Sequence, residues 1–320
     1  MKNKLLNKNN LNVNENIALG LYNVSKTFKG TFQALDNITI EVKKGEFHGF
    51  IGSNGSGKTT SIRCMLGFYN DFKGKIFLNS IPSTNKEAKR KIGYIPEVSD
   101  FPKKIKTQEY LYYFACISGL KPKVAREKVA LLLKEYQMDG PEFNKSPYYM
   151  SSGQKKKVML MQSLINDPNL LILDEPAANL DPAARVDFYE ALKKFHEKGN
   201  TIFISSHILA ELEKYIDSYT VIEKGKVIES STIAQKNAQQ QYNYKISINK
   251  NNYETFSNLL KSLKIKFNLS KDEIFLVYLE NKNAKKLLLS KMIENNIELE
   301  LFDKNKQTLN EIYFNSSKSE

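Results

Sequence analysis

Two kinds of hydrophobic pattern alternate along most of this chain. From residue 17 onward, segments such as IALGLYNVSKTF and ALDNITIEVKKGEF alternate apolar and polar positions and are rich in β-branched residues, which is typical of strands. Short, uninterrupted apolar runs at 47–51, 170–173 and 201–205 are typical of strands buried on both faces. Helical patterns separate these runs, so the sequence predicts an α/β fold with a parallel sheet.

Three helices are predicted in the middle of the chain. The first begins at Thr107, which is a capping residue type, and ends by Gly119. The second opens at Pro122, and the third starts near 151–154 and continues through Leu164. A further helical pattern covers 183–197, between the last two apolar runs.

The pattern changes again at 231–241, a Gln-, Asn- and Ser-rich stretch without periodicity. Beyond it, strands and helices follow in an order that predicts a small α+β unit of βαββαβ type, over 242–248, 253–263, 265–269, 274–278, 282–295 and 297–302. We therefore predict a flexible N-terminal tail (1–16), a main domain (17–230) with a helical subdomain (about 105–165), a linker (231–241) and an accessory C-terminal domain (242–320).

Composition narrows the class of protein only in part. The 320 residues carry a formal net charge of +13, which suits a nucleic acid, an anionic lipid or a nucleotide without choosing among them. No apolar run approaches the roughly 18–20 residues of a membrane-spanning helix, and the polar start does not resemble a secretory signal. Cys64 and Cys116 are too few for a disulfide framework or a metal cluster, which favours a cytoplasmic protein.

A glycine-rich loop follows the apolar run at 47–51 and precedes a helical pattern. It matches G-x-x-x-x-G-K-[ST], with the residues Gly52, Ser53, Asn54, Gly55, Ser56, Gly57, Lys58, Thr59 and Thr60. Glycines let backbone N–H groups turn toward phosphates, and the following helix N-terminus adds partial positive charge. We expect Lys58 to reach the β- and γ-phosphates of a nucleotide and the Thr59 hydroxyl to bind Mg²⁺.

Two acids stand where the run at 170–173 ends. Ligands of parallel sheets bind at the carboxyl ends of the strands, so these acids are candidates for a site. Asp174 suits a Mg²⁺ ligand, directly or through water, and Glu175 suits a group that polarises an attacking water. The alternative, two solvated acids in a loop, is weaker beside a phosphate loop.

The ordered set of motifs resembles that of the nucleotide-binding subunits of ABC transporters. After the phosphate loop come Ser151, Ser152, Gly153 and Gln154, then Asp174 and Glu175, then Asp181 and His207. An S-x-G-Q element between two phosphate-binding motifs is specific to that ATPase class. The resemblance covers about 17–230 and implies an α/β P-loop NTPase of ABC type, with an antiparallel β subdomain and a helical subdomain, plus the small α+β C-terminal domain.

The resemblance also implies roles for single residues. Lys58, Glu175 and His207 would be catalytic, with His207 contacting the γ-phosphate, and ATP and Mg²⁺ would be the cofactors. Residues 151–154 would face the nucleotide of a second subunit, although Ser151 also reads as a helix N-cap.

Asp181 would belong to the loop that crosses the dimer interface, and Phe28 would stack on adenine. Glu97 stands where the family usually has Gln. It would still bind Mg²⁺ through oxygen, and its carboxylate would raise the pKa of a neighbouring acid.

The implied function is ATP binding and hydrolysis that power transport through a separate, membrane-spanning permease subunit. A short match of residues 308–314 to the closing motif of export-type subunits favours export. We expect a homodimer, or a heterodimer with a homologous ATPase, peripheral at the cytoplasmic face of the cell membrane, and we do not expect nucleic acid as a partner. Two alternatives stay open: a soluble ABC-type ATPase acting on the ribosome or nucleic acid, and a non-catalytic nucleotide-gated scaffold.

Overall fold

The computed structural model describes residues 15–98, 100–207, 212–238, 241–270 and 272–305. The chain separates into two compact units, of which the first runs to Ser231 and the second begins at Thr232. Most of the predicted tail, and the whole motif at 308–314, lie outside the described residues. None of the helices in the described ranges has both the length and the apolar character that crossing a bilayer requires.

In the first unit, strands and helices alternate much as the hydrophobic pattern predicts. Short 3₁₀ turns occur at Lys86–Lys89, Pro141–Phe143 and Pro147–Tyr149. The main elements are β1 (Ile17–Phe28), β2 (Phe32–Lys43), β3 (Phe47–Ile51), α1 (Lys58–Leu66), β4 (Lys73–Leu78), β5 (Ile81–Pro82), β6 (Ile92–Ile95), α2 (Thr107–Ile117), α3 (Pro122–Glu135), α4 (Ser152–Leu164), β7 (Leu170–Leu173), α5 (Pro182–Glu197), β8 (Thr201–Ser206), β9 (Ser218–Glu223) and β10 (Lys226–Thr232).

Two sheets form the body of this unit. One has six strands in the order β10-β9-β3-β8-β7-β6, with parallel pairing from β9 through to β6. Every residue of β3, β7 and β8 is buried, which explains why their sequences are continuous apolar runs rather than alternating ones. The other sheet is antiparallel, in the order β2-β1-β4-β5.

A hydrophobic core joins the two sheets. It joins Leu19 and Leu21 of the antiparallel sheet to Phe50 and Phe203 of the parallel sheet, and it also includes Met65 of α1. The rings of Phe50 and Phe203 lie 5.2 Å apart, and full burial of such side chains stabilises the fold by about 1.5–3 kcal/mol each. This packing fixes the carboxyl ends of β3, β8 and β7 along one edge of the sheet.

The second unit has its own sheet and its own core. Its elements are α6 (Ile233–Ala238), β11 (Tyr244–Ile248), α7 (Tyr253–Ser262), β12 (Phe267–Leu269), β13 (Phe275–Val277), α8 (Lys282–Glu294) and β14 (Leu299–Lys304). The sheet order is β12-β13-β11-β14 and all pairs are antiparallel, as in βαββαβ folds. Phe256 and Phe275 meet edge to face at 4.9 Å in the core of this unit.

The stretch predicted as a linker, 231–241, contains the end of β10 and all of α6. A capping box starts this helix. The Thr232 hydroxyl accepts a hydrogen bond from the Gln235 N–H at 3.1 Å, and the Gln235 side chain accepts one from the Thr232 N–H at 3.2 Å. Four residues of sequence, T-I-A-Q, carried this signal even though no hydrophobic period did.

Candidate active site

The glycine-rich loop connects the end of β3 to the start of α1, which begins at Lys58. Gly55 and Gly57 have φ of +81° and +112°, a region that favours glycine. Gly52 is required for a different reason, because a Cβ there would lie 2.3 Å from the carbonyl oxygen of Ile222. The loop therefore ends at a helix N-terminus, where unpaired N–H groups and the helix dipole favour an anion.

Lys58 is buried beneath this loop. Its Nζ donates hydrogen bonds to the carbonyl oxygens of Gly52 at 2.7 Å and Ser53 at 2.9 Å. The same Nζ lies 3.1 Å from Glu175 Oε1, an ion-pair distance. The ammonium group thus connects the phosphate loop after β3 with the acid that follows β7.

The other polar residues of the loop region either anchor the loop or line the cavity. Ser56 is buried, and its carbonyl oxygen accepts a hydrogen bond from the Gly225 N–H at 2.9 Å, which anchors the loop to the turn before β10. Asn54 and Thr60 line the cavity above the loop, as does Thr59. The loop is therefore anchored to the protein body on one side, while its other side faces the open cavity.

Asp174 lies directly after β7 and is held by hydroxyl groups from two other elements. Thr59 Oγ1 donates to Asp174 Oδ1 at 3.1 Å, and Ser205 Oγ of β8 donates to the same oxygen at 3.0 Å. The pKa of Asp174 is raised, chiefly because burial disfavours its charged form. The two hydroxyl donors oppose that shift, whereas the neighbouring Glu175 charge adds to it. We expected the Glu97 carboxylate to raise the pKa of a neighbouring acid. The pKa of Asp174 is raised, but the main cause is burial.

Glu175 bridges a cation and a histidine. Its backbone has a φ of +44° and its N–H donates to Ser205 Oγ at 2.9 Å, so Ser205 serves both acids. His207 Nδ1 lies 2.7 Å from Glu175 Oε2, and the imidazole donates because a carboxylate accepts. The Glu175 side chain is only 9% exposed, whereas His207 is 41% exposed and accessible from outside.

These groups surround a single cavity of about 260 Å³ above the phosphate loop. Lys58, Thr59, Glu97, Glu175 and His207 all line it. The structure therefore brings together the predicted phosphate-binding and catalytic residues. Asp174 lies beneath them, in contact with Thr59.

Phe28 is not among the residues that line this cavity, and its predicted stacking on adenine stays a prediction. Its ring packs edge-on against Tyr69 at 5.2 Å, with the buried Lys26 ammonium 4.6 Å from its centre. Among the described residues, the aromatic ring that does line the cavity is Phe32, which pairs opposite Phe28 across the β1–β2 hairpin and is 63% exposed. Tyr69 and Lys26 therefore hold the Phe28 ring in a partly buried position beside a cation.

Residues 151–154 and Asp181 lie at the starts of two neighbouring helices. Ser151 is the N-cap of α4 and forms a capping box with Gln154, with reciprocal hydrogen bonds of 3.3 and 3.2 Å. Asp181 caps α5 by accepting from the Ala184 N–H at 2.9 Å. A Cβ at Gly153 would lie 2.8 Å from the Ala184 Cβ, so glycine allows the two helices to approach closely.

Ser152 is the first residue of α4 and does not need a positive φ. The serine in place of a second glycine is therefore compatible with the local backbone. Ser205 and Phe32 contribute to the site although neither belongs to a motif recognised in the sequence. The only signal for Ser205 was its position at the end of an apolar run, like that of Asp174.

A phosphate loop between strand and helix, with an acid pair at the end of a nearby parallel strand, defines a P-loop nucleoside triphosphatase. A family model described as ABC transporter matches residues 35–178. A putative ABC transporter ATP-binding protein of Mycoplasma pneumoniae is 38% identical over 283 residues, which are 88% of this chain and 86% of that protein. The chain belongs to this family of ABC transporter ATP-binding proteins.

Further similarities agree with this assignment. Nod factor export ATP-binding protein I of Burkholderia orbicola is 34% identical over 206 residues, 64% of this chain and 67% of that protein. A solved structure of the ATP-binding subunit of an ABC transporter has a TM-score of 0.62 and 29% identity, covering 69% of this chain and 92% of that one. The predicted fold class, and ATP hydrolysis by a transporter subunit as the predicted activity, are confirmed.

Proposed function

We propose that this chain binds and hydrolyses ATP in the cavity above its phosphate loop and so drives export through a separate permease subunit. The observation that carries the proposal is the position of Glu175, between the Lys58 ammonium at 3.1 Å and the His207 imidazole at 2.7 Å. A carboxylate so held faces the space where a terminal phosphate would lie. Export is supported by the similarity to a protein named as an export ATP-binding protein.

Mg²⁺ fits the donor set of this site. Thr59 and Asp174 offer oxygen atoms 3.1 Å apart beside the phosphate loop, and Glu97 adds a carboxylate on the cavity wall. Mg²⁺ prefers oxygen ligands and usually binds through one or two carboxylates together with substrate phosphates. When bound, the ion would neutralise charge on the phosphates.

Side chains of the protein would then bind the phosphates and activate the attacking water. Glu175 would accept the proton of the attacking water, a contribution of about 10²–10⁴-fold for a positioned general base. His207 would hold that carboxylate through Nδ1 and, in the doubly protonated form of the ring, donate from Nε2 to the γ-phosphate. Lys58 would exchange its carbonyl partners for phosphate oxygens.

The starts of α4 and α5 suggest how two copies would cooperate. Ser151 and Asp181 are exposed, and Gly153 brings the two helix N-termini together. Paired helix N-termini favour an anion that approaches from outside. We infer that residues 151–154 bind the nucleotide of a second subunit, in a homodimer or a heterodimer with a homologous ATPase, and that Asp181 lies at that interface.

The helical part of the first unit offers a surface for the permease. Ile117 on α2 and Leu131 on α3 are 84% and 66% exposed, and Tyr113 is also exposed. All three lie on two helices that pack against each other, and large exposed apolar side chains concentrated on one part of a surface favour an interaction site. We infer that a permease docks here, which would keep the chain at the cytoplasmic face of the cell membrane.

The substitution Glu175→Gln tests the proposed role of Glu175. We expect retained ATP binding, hydrolysis reduced by about 10²–10⁴-fold, and an ATP-dependent dimer in size-exclusion chromatography, because the amide keeps the shape but not the basicity. Glu135→Gln, which removes an exposed partner of Lys198, is the matched control. Wild-type turnover in Glu175→Gln would show that Glu175 is not the general base.

The permease is tested by purification of the tagged chain from detergent extracts. Recovery of a polytopic membrane protein is the expected result. An ATPase rate stimulated by polynucleotide, without such a protein, would instead favour action on the ribosome or nucleic acid.

A further inference from the structure

Lys156 is a buried cation that no part of the proposed reaction uses. It lies on α4, two residues after Gln154, and is 5% exposed. Its Nζ donates to the carbonyl oxygen of Pro96 at 3.0 Å and to that of Glu97 at 2.6 Å. The neighbours Lys155 and Lys157 are less buried, so this lysine alone of the three extends into the protein.

The two carbonyl groups belong to the segment that leaves β6 at the nucleotide cavity. The ladder between β6 and β7 ends there, where the Asp174 N–H donates to the Ile95 carbonyl at 2.9 Å. Beyond that bond, Pro96 has no N–H to give, and its carbonyl and that of Glu97 point to the Lys156 ammonium. The Lys156 ammonium thus binds the next two backbone carbonyl groups after the hydrogen bonds of the sheet end.

The charges around Lys156 are also those of the active site. Burial lowers the pKa of Lys156 to about 8, while the carboxylates of Glu97 and Asp174 act in the opposite direction. A buried cation is tolerated when hydrogen bonds and opposite charges compensate it, and Lys156 has both. Glu97 carries a negative charge at a position where the family usually has a neutral Gln. Lys156 lies next to it, buried in the protein interior.

We propose that Lys156 is a positioning residue, which fixes the backbone of Pro96 and Glu97 so that the Glu97 carboxylate stays at the nucleotide cavity. This rests on the proposed role of Glu97. Because Lys156 is on the helix that starts with residues 151–154, it connects that helix directly to the nucleotide site of the same chain. A movement of α4 on binding a second subunit would therefore move Glu97.

A double-mutant cycle tests whether Lys156 acts through Glu97. The full chain is compared with Lys156→Met, Glu97→Ala and the double variant, each measured for kcat and KM with ATP. We expect Lys156→Met to lower kcat by about 10–100-fold with little change in KM, the usual cost of removing a group that orients a ligand. In the Glu97→Ala background the same change should have no further effect, since the group it positions is gone.

Hydrogen exchange measured by mass spectrometry gives a readout that does not depend on turnover. Lys156→Met should speed exchange in peptides that cover 92–98, whereas Lys157→Met, which removes only a 3.5 Å pair with the exposed Asp187, should not. Lys156→Gln keeps a donor and should recover part of the protection and of kcat, which separates positioning from failure to fold.

Three outcomes overturn the proposal. Additive losses in the cycle would show that Lys156 acts independently of Glu97, and unchanged kcat in Lys156→Met would show that it does not act at all. Unchanged exchange at 92–98 would show that it does not hold this segment. Wild-type kcat in Glu97→Ala is a different failure, because it would remove the proposed role of Glu97 itself.

Discussion

His48 makes the stability of the first unit depend on pH. It lies in β3 and is 1% exposed, with Nδ1 2.8 Å from Ser218 Oγ and Nε2 3.0 Å from Thr220 Oγ1. Its ring stacks on Phe203 at 5.6 Å between centres, with 3° between the ring planes. Burial lowers the pKa of His48 to about 3, from an ordinary value of 6.5.

The sign and size of the effect follow from that shift. Between pH 6.5 and 3 the unfolded chain binds a proton at His48 that the folded chain does not, so acidification favours unfolding. The stabilisation is therefore fully present above pH 6.5 and is lost as the pH falls toward 3. Since one pKa unit corresponds to 1.36 kcal/mol, the loss between pH 7 and pH 5 is about 2 kcal/mol.

The assay is chemical denaturation at pH 7, 6 and 5, for the wild type and for His48→Gln, whose amide keeps a donor and an acceptor. The free energy of unfolding of the wild type should fall by about 2 kcal/mol more than that of the variant over this range. His196→Gln, which removes an imidazole 3.2 Å from Asp217, is the control. Parallel pH profiles for wild type and His48→Gln would contradict a lowered pKa of His48 in the folded protein.

Two further predictions concern nucleotide binding and the second unit. Lys58→Ala removes a charge-assisted donor beneath the phosphate loop, so the dissociation constant for ATP, measured by calorimetry, should rise by about 10- to 100-fold. Unchanged ATP affinity would mean that the loop is assigned incorrectly. A chain that ends at Ser231 should keep its basal ATPase rate in a phosphate-release assay, because the cavity and its supporting core belong to the first unit. A folded but inactive truncation would contradict this division.

The sequence predicted elements best where a local pattern was strong. The apolar runs at β3 and β7 predicted their strands to the residue, and the proline and glycine signals predicted α3 and the end of α2 closely. From β11 onward, the order of elements in the second unit also followed from the pattern of apolar and polar positions. Each of these features depends on neighbours within a few residues, which is the range over which hydrophobic period and capping act.

What the sequence missed depends on residues far apart along the chain. The double role of Ser205 depends on hydrogen bonds to acids 30 and 31 residues away. The place of Phe32 at the cavity depends on the turn of the β1–β2 hairpin, where it pairs with Phe28, whose own ring packs on Tyr69. Thr107 is a capping residue type, yet it is the first residue of α2, with its hydroxyl donating to the Lys145 carbonyl at 2.8 Å. Tertiary contacts decided all three.

The contact between Lys58 and Glu175 gives the site a built-in order of events. In the reaction proposed above, an arriving triphosphate would compete with the Glu175 carboxylate for the Lys58 ammonium, so part of the free energy of binding would be used to separate the pair. With Lys58 bound to phosphate, Glu175 would keep its contact with His207 and could act on water. The ion pair would thus keep the proposed base neutralised until a triphosphate binds, so that binding would precede and permit the chemical step.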